Sequence, residues 1–136
     1  MKLHVGVALI ALGAVGGIGL DRVARSAEAP PGITRAILQR IAVPDSKYEV
    51  VLGIAEIAPG VSTIGRHIHN GAEAGVLIEG ETILAIDGAP DLTLKPGDSY
   101  QVPAGVPHDA RTGAVAGKVV AVYVVEKGQP LATPAP

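Results

Sequence analysis

The pattern of histidines constrains this chain more than any other feature of its sequence. His67 and His69 are two residues apart, so on a β-strand both side chains project from the same face. Glu73 can return beside them after the tight turn that the pair Asn70-Gly71 favours. His108 lies far along the chain and reaches the same place only from a neighbouring strand. The pattern therefore requires a sheet that brings two distant segments together.

Three imidazoles and one carboxylate form a ligand set that suits a divalent first-row transition metal, namely iron, manganese, nickel, copper or zinc. A six-coordinate ion held by four protein ligands keeps positions open for water or a substrate. The chain has 4 histidines, and only His4 stands outside the pattern. We therefore predict one divalent transition metal bound by His67, His69, Glu73 and His108. In a metal-free barrel the same histidines would need hydrogen-bond partners instead.

The core of this chain must be built from aliphatic side chains, because the sequence has no Phe, no Trp and only 3 Tyr. Val and Ile favour strands where they alternate with polar residues, and no segment has a helical period. A chain of 136 residues has room for one domain. We expect an all-β domain over residues 30–128, a sandwich or closed barrel. Outside the histidine segment its strands are predicted over residues 34–43, 48–58, 76–78, 82–86, 92–94, 99–102, 108–111 and 118–126.

Residues 1–29 have the features of a secretory signal peptide. A basic start at Lys2 precedes an uncharged apolar run over residues 5–20, and Ala27 and Ala29 offer a cleavage site. Cleavage after Ser26 is one alternative. An uncleaved N-terminal membrane anchor is another, although a spanning helix needs about 20 apolar residues. We therefore expect a periplasmic or secreted protein.

Two further features concern the tail and the partners. The proline-rich tail over residues 129–136 is expected either to lie along the domain or to have no fixed structure.

From residue 30 onward the chain has 8 Lys or Arg and 11 Asp or Glu, scattered singly. Nucleic acid is therefore not an expected partner, since no basic patch is available for a phosphate backbone. The lack of cysteine excludes disulfides and thiolate metal sites.

Two motifs resemble those of the cupin superfamily, whose members are small β-barrels of jelly-roll type. The first motif reads Gly60, His67, His69, Glu73, Gly80, and the second reads Gly97, Pro103, Gly105, His108. The spacings agree with the family pattern except that the gap from Gly60 to His67 is one residue longer. Thr112 replaces an asparagine that the family usually has.

The resemblance implies a small single-domain cupin of the type-2 conserved-barrel kind, with its metal bound by the four residues predicted above. Many family members with this ligand set are dioxygenases, so a metal-dependent oxidoreductase acting on a small organic substrate is expected. A metal-assisted isomerase or lyase is a second reading, in which the ion acts as a Lewis acid. A non-enzymatic barrel that binds or senses a small ligand is a third. Cupins commonly pair through edge strands, and a homodimer is therefore expected.

Glu56 is the candidate catalytic residue outside the motifs. On its predicted strand it shares a face with bulky side chains, namely Tyr48, Val50, Leu52 and Ile54, and that face could point into the barrel. The carboxylate could then take a proton from a metal-bound ligand. The alternative is a solvent-facing carboxylate at the end of a strand.

Overall fold

The computed structural model describes residues 31–136, which form strands and loops. Its strands are β1 (Ile33–Ala42), β2 (Tyr48–Ile57), β3 (His67–Ile68), β4 (Ala72–Gly80), β5 (Thr82–Ile86), β6 (Leu92–Leu94), β7 (Ser99–Val102), β8 (His108–Arg111), β9 (Gly117–Glu126) and β10 (Thr133–Pro134). The predicted signal peptide lies outside the described residues. Within residues 31–136, no helix is long and apolar enough to cross a membrane.

The strands form two five-stranded antiparallel sheets with the core between them. The first sheet has the order β1-β2-β9-β4-β7, and the second has the order β10-β3-β8-β5-β6. After β2 the chain changes sheet at every connection except the β5–β6 hairpin. The prediction of an all-β jelly-roll barrel is confirmed.

Alternation along the strands separates an inner face from an outer face. In β9, every second residue from Gly117 to Val125 is buried, and the residues between them are half-buried or exposed. In β2, Val51 and Ile57 are buried while Tyr48 is exposed. Burial of each aliphatic side chain contributes roughly 1.5–3 kcal/mol relative to leaving it in water. The inner faces therefore hold the barrel together and line its interior.

The observed strands begin and end within one residue of the predicted bounds, except in the tail, where β10 was not predicted, and around the first motif. There β4 begins at Ala72, directly after Asn70-Gly71. The chain bends at Asn70-Gly71 and returns Glu73 beside the histidines, but the bend does not join two paired strands, because β3 and β4 belong to different sheets. Gly71 has another role, since a Cβ atom at this position would lie 1.7 Å from the carbonyl oxygen of Val124. The chain needs glycine there to pass close to β9.

The proline-rich tail lies along the domain, which is the first of the two arrangements expected. β10 pairs with β3 and places Pro134 opposite His67. The amide of Ala135 donates a 3.0 Å hydrogen bond to the carbonyl oxygen of Arg66. Leu131 packs against the core. The tail thus covers the edge of the second sheet beside the histidine motif.

Candidate metal centre

Three histidines from the second sheet meet inside the barrel. Pairing of β3 with β8 places His67 directly opposite His108, and His69 follows the end of β3. The ring centroids lie between 4.2 and 5.1 Å apart, and one ligand atom from each residue lies within 4.8 Å of the others. Each histidine is at most 9% exposed. The structure therefore brings together the three histidines that the sequence selected.

Backbone carbonyl groups orient all three rings. Nδ1 of His67 and of His108 lies 2.8 and 3.0 Å from the carbonyl oxygen two residues earlier in the chain. Nδ1 of His69 lies 2.6 Å from the carbonyl oxygen of Leu131 in the tail. A carbonyl oxygen only accepts, so each Nδ1 carries a proton and donates it. In the neutral ring each Nε2 then keeps a lone pair that can bind a metal.

The Nε2 atoms test whether this cluster fits a metal ion. Those of His69 and His108 are buried and make no hydrogen bond of normal geometry within residues 31–136, although a carboxylate oxygen of Glu73 lies close to both. An unpartnered buried polar atom costs roughly 1–3 kcal/mol. A divalent cation would accept these lone pairs and remove that cost. The donor set therefore fits the transition metal that the sequence predicts.

Glu73 reaches the cluster from the first sheet. Its Oε2 atom lies 2.9 Å from Nε2 of His69 and 3.3 Å from Nε2 of His108. Its Oε1 atom accepts a 2.7 Å hydrogen bond from the hydroxyl group of Tyr100. Burial opposes ionisation of this carboxyl group, but its contacts with His108, His69 and Tyr100 outweigh burial and hold its pKa well below the usual range. An ionised carboxylate therefore stands beside the histidine nitrogens.

The two histidines that face each other respond differently to this environment. Burial lowers the pKa of His67 to about 4, so this ring is neutral near pH 7, as a metal ligand must be. Burial also acts on His108, but its contact with Glu73 outweighs burial and raises its pKa above the ordinary value. In the metal-free chain, a proton on His108 can therefore occupy the place of a cation beside Glu73. Metal binding would displace that proton.

Two tyrosines whose roles the sequence did not identify also face the cluster. Tyr100 donates to Glu73, and the ring of Tyr123 lies 4.9 Å from the ring of His69. Burial raises the pKa of both phenols, and the charge of Glu73 raises it further. Both hydroxyl groups therefore keep their protons. The alternation that buries every second residue of β9 predicts an inward Tyr123, but it does not identify its neighbour.

Gly75 provides the space for the Tyr100 ring. The two residues lie directly opposite each other on β4 and β7. A Cβ atom at position 75 would lie 2.6 Å from three atoms of the Tyr100 side chain, including the hydroxyl oxygen. A larger residue there must displace the ring, and with it the hydrogen bond that holds Glu73.

A cavity of about 50 Å³ adjoins the histidines. Because an enclosed water needs roughly 10–15 Å³ of such space, the cavity has room for a few waters or a small organic molecule. Aliphatic side chains form most of its wall, and its charged residues are Glu73 and Arg35. The sequence analysis missed Arg35. The available signal was its position two residues after the buried Ile33 on β1.

Glu56 does not join the cluster. It lies on the outer face of β2, where its side chain is exposed and its Oε1 atom lies 2.9 Å from Nζ of Lys118. The residues on either side of it, Ala55 and Ile57, line the cavity. The structure therefore places Glu56 as the solvent-facing carboxylate that was the alternative reading.

Comparison with known families agrees with this geometry. The sequence profile of the cupin domain matches residues 53–125, which include both motifs and all four predicted ligands. The chain belongs to the cupin family. The match covers more than half of the chain, and it confirms the resemblance seen in the sequence.

Two curated proteins are similar to part of this cupin. They are the HTH-type transcriptional regulators PuuR of Escherichia coli and Shigella flexneri, each 44% identical over 50 residues. The aligned segment covers 37% of this chain and 26% of each regulator. The chain thus corresponds to about a quarter of the length of these relatives.

Several solved structures share the cupin fold. The DMSP lyase DddQ from Ruegeria pomeroyi superposes with a TM-score of 0.63 at 20% identity, over 75% of this chain and 51% of the lyase. The polyketide cyclase RemF from Streptomyces resistomycificus gives 0.60 at 24% identity, over 76% and 73%. An oxalate oxidase in complex with glycolate gives 0.58 at 19% identity, over 79% and 57%. At these identities the similarity establishes the fold alone.

Proposed function

We propose that this cupin is a metal-dependent enzyme that binds one divalent transition metal and converts a small organic substrate in the adjoining cavity. His67, His69 and His108 supply the nitrogen ligands, and Glu73 supplies the oxygen ligand. The observation that carries the proposal is the pair of buried Nε2 atoms without partners, which converge beside an ionised carboxylate. Four ligands leave positions open on a six-coordinate ion, and a substrate can occupy them.

The leading reaction class is an oxygen-dependent oxidation. Iron, manganese or copper at this ligand set would supply the redox chemistry. The hydroxyl group of Tyr100 donates its proton to Glu73 and holds that ligand in place. The protonated hydroxyl group of Tyr123 would orient the substrate, because it can donate a hydrogen bond. The aliphatic wall of the cavity excludes bulk water from the reacting centre. An oxalate oxidase with this fold supports the class. A DMSP lyase and a polyketide cyclase with this fold support a second, non-oxidative reaction class, in which we propose that the ion acts as a Lewis acid.

The first experiment measures the metal content of the purified protein and of three variants. We expect near-stoichiometric metal in the wild type and its loss in the His67→Ala/His108→Ala double variant. Glu73→Gln should bind metal more weakly, because it loses the anionic ligand. Glu56→Gln is the matched control, since it removes a carboxylate from the outer face and should retain full metal content. A metal-free wild type after reloading with iron, manganese, nickel, copper and zinc would contradict the proposal.

The second experiment separates the reaction classes. Small organic acids and alcohols are incubated with the iron-loaded protein while dissolved oxygen is recorded. Oxygen uptake that depends on both metal and substrate supports oxidation. Turnover at an unchanged rate without oxygen, or with the zinc-loaded protein, assigns the Lewis-acid class instead.

A non-enzymatic sensing barrel is the second candidate function. The similarity to PuuR favours it, because the protein that shares these 50 residues with this chain is named as a transcriptional regulator. In that case a small ligand should raise the melting temperature of the metal-loaded protein without being consumed. Consumption of the same ligand would exclude this candidate.

We propose that the protein assembles as a homodimer through the outer face of the first sheet. Ile41, Tyr48, Val122 and Val124 lie on that face and are between 37% and 60% exposed. A contiguous apolar surface of this kind is typical of an interface. Light scattering should give the mass of two chains, and Val122→Glu should give the mass of one. A wild-type monomer at micromolar concentration would contradict the proposal.

We also propose that the protein is exported to the periplasm or secreted, on the basis of the signal-peptide features of residues 1–29. N-terminal sequencing of protein recovered from the periplasm should begin close to residue 30 or at residue 27. Recovery of the intact chain from the membrane fraction would support the uncleaved anchor instead.

A further inference from the structure

Arg35 is a cation at the wall of the metal-site cavity, and it has no anionic partner in the described part of the chain, residues 31–136. Within residues 31–136, the other three arginines each form an ion pair with a carboxylate, and the pairs are Arg40 with Glu49, Arg66 with Asp87 and Arg111 with Asp91. Arg35 forms no ion pair or side-chain hydrogen bond in that part of the chain. Its guanidinium group is thus available to a ligand.

The position of Arg35 directs it toward the cavity. On β1 it stands opposite Ala55, and both residues line the cavity with His67, Glu73 and Tyr100. Its side chain is also exposed to solvent, so it lies where the cavity meets bulk water.

The charge at the cavity does not cancel once a metal is present. Within residues 31–136, the charged side chains in the cavity wall are Arg35 and Glu73. The carboxylate of Glu73 compensates one of the two charges of a divalent ion, so the ion keeps one positive charge. Arg35 adds a second positive charge. The rest of the wall is mostly aliphatic and cannot compensate either of these two charges. An anion is therefore the ligand that this cavity favours.

The geometry points to a small carboxylic acid as the ligand class of this site, and we infer that Arg35 binds its carboxylate while its short carbon skeleton lies toward the metal. A planar guanidinium group binds a planar carboxylate through two parallel hydrogen bonds. A cavity of about 50 Å³ admits only a few non-hydrogen atoms, which suits a short acid better than a phosphorylated metabolite. This inference rests on the proposed metal-dependent function and specifies its substrate class.

Calorimetry on the full-length, metal-loaded protein tests the inference. The probes are acetate, propionate, lactate and malonate, with propionamide as a neutral analogue of propionate and inorganic phosphate as a competing anion. Arg35→Gln removes the charge at similar length. Arg40→Gln is the matched control, because Arg40 lies on the same strand and pairs with Glu49, and neither residue lines the cavity. Metal content is measured for every sample.

We expect at least one carboxylate to bind, and Arg35→Gln to weaken it roughly tenfold, the effect of losing one charge-assisted contact at a partly solvated site. Arg40→Gln should change the affinity less than about twofold, and propionamide should bind poorly to every sample. Failure of all four acids to bind the wild type would overturn the inference. Equal carboxylate affinity in wild type and Arg35→Gln would overturn it too, as would Arg35-dependent binding of phosphate alone.

The two proposals fail separately in this experiment. A wild type that holds no metal contradicts the metal-dependent function, whatever it binds. If the protein holds its full metal content and carboxylates bind equally well to the wild type and to Arg35→Gln, the substrate class is contradicted. The proposed metal-dependent function is then unaffected.

Discussion

Removal of the C-terminal tail is expected to weaken metal binding through a single carbonyl group. The carbonyl oxygen of Leu131 accepts the Nδ1 proton of His69 at 2.6 Å and so fixes both the ring and its tautomer. A chain that ends at Gly128 loses this acceptor. Loss of such a partner behind a metal-bound histidine lowers metal affinity about 10–100-fold, which corresponds to roughly 1.4–2.8 kcal/mol.

The same truncation also destabilises the fold, and the two effects must be separated. The tail contributes the short β10–β3 ladder, the hydrogen bond from Ala135 to Arg66 and the packing of half-buried Leu131. At about 1 kcal/mol for each hydrogen bond and for the partial burial, the loss is roughly 2–4 kcal/mol. Leu131→Ala is the matched control, because it removes the packing and keeps the carbonyl group.

The assay has two parts. Zinc affinity is measured by competition with a chromophoric chelator, and the free energy of unfolding of the metal-free protein is measured in urea. We expect the truncated chain to lose both affinity and stability, and Leu131→Ala to lose about 1 kcal/mol of stability with affinity within about twofold. Wild-type affinity in the truncated chain would refute the reasoning. An affinity loss in Leu131→Ala as large as in the truncation would assign the effect to packing rather than to the carbonyl group.

Three further predictions concern the surroundings of the metal ligands. Tyr100→Phe removes the hydrogen bond to Glu73 and should weaken zinc binding about tenfold with little loss of stability; unchanged affinity in the chelator competition would contradict it. Gly75→Ala brings a Cβ atom to 2.6 Å from the Tyr100 side chain and should cost roughly 1–3 kcal/mol in urea unfolding. Gly113→Ala, in the exposed loop between β8 and β9, is its control for the loss of a glycine, because no atom lies within 4 Å of the added Cβ and the backbone φ is not positive; an equal cost in both would remove the steric argument. The metal-free protein should lose stability as pH falls, because burial lowers the folded-state pKa of His67 from 6.5 to about 4 and the unfolded chain takes up that proton first. This group alone contributes roughly 3 kcal/mol, lost between those two pH values. His108, whose folded-state pKa is raised, acts in the opposite direction. The measurement is therefore the difference in pH profile between wild type and His67→Gln, and parallel profiles would contradict the prediction.

The sequence predicted the features that depend on local pattern. Alternating aliphatic residues gave the strand bounds of β2, β5 and β9 to within one residue, because period-two burial is visible in any single segment. The three histidines were found for a related reason, since their spacing within the two motifs matches strand geometry. The chemistry of the ligand set could therefore be predicted from the sequence alone.

The features that the sequence did not predict depend on contacts between distant segments. The hydrogen bond from Tyr100 to Glu73 joins residues 27 apart, and the one from His69 to Leu131 joins residues 62 apart. Arg35 and Glu56 show that the sequence alone did not tell which face of a strand points into the barrel. Only the pairing of Arg35 with Ala55 reveals which alternate residues of β1 and β2 face inward. Asn70-Gly71 predicted a tight turn from its local preference, but that preference did not reveal that the bend leads from one sheet to the other.

The long separations between the groups that build the metal centre have a kinetic consequence. His67 meets His108 only when β3 pairs with β8, and His69 gains its acceptor only when the tail returns to that edge. Chains dominated by such non-local pairings fold in about milliseconds to seconds, after loop-closure entropy has been overcome. A complete set of oriented ligands therefore forms late, when the barrel has closed. We expect that metal does not nucleate the folding of this protein and that it enters a centre already shaped by the surrounding strands.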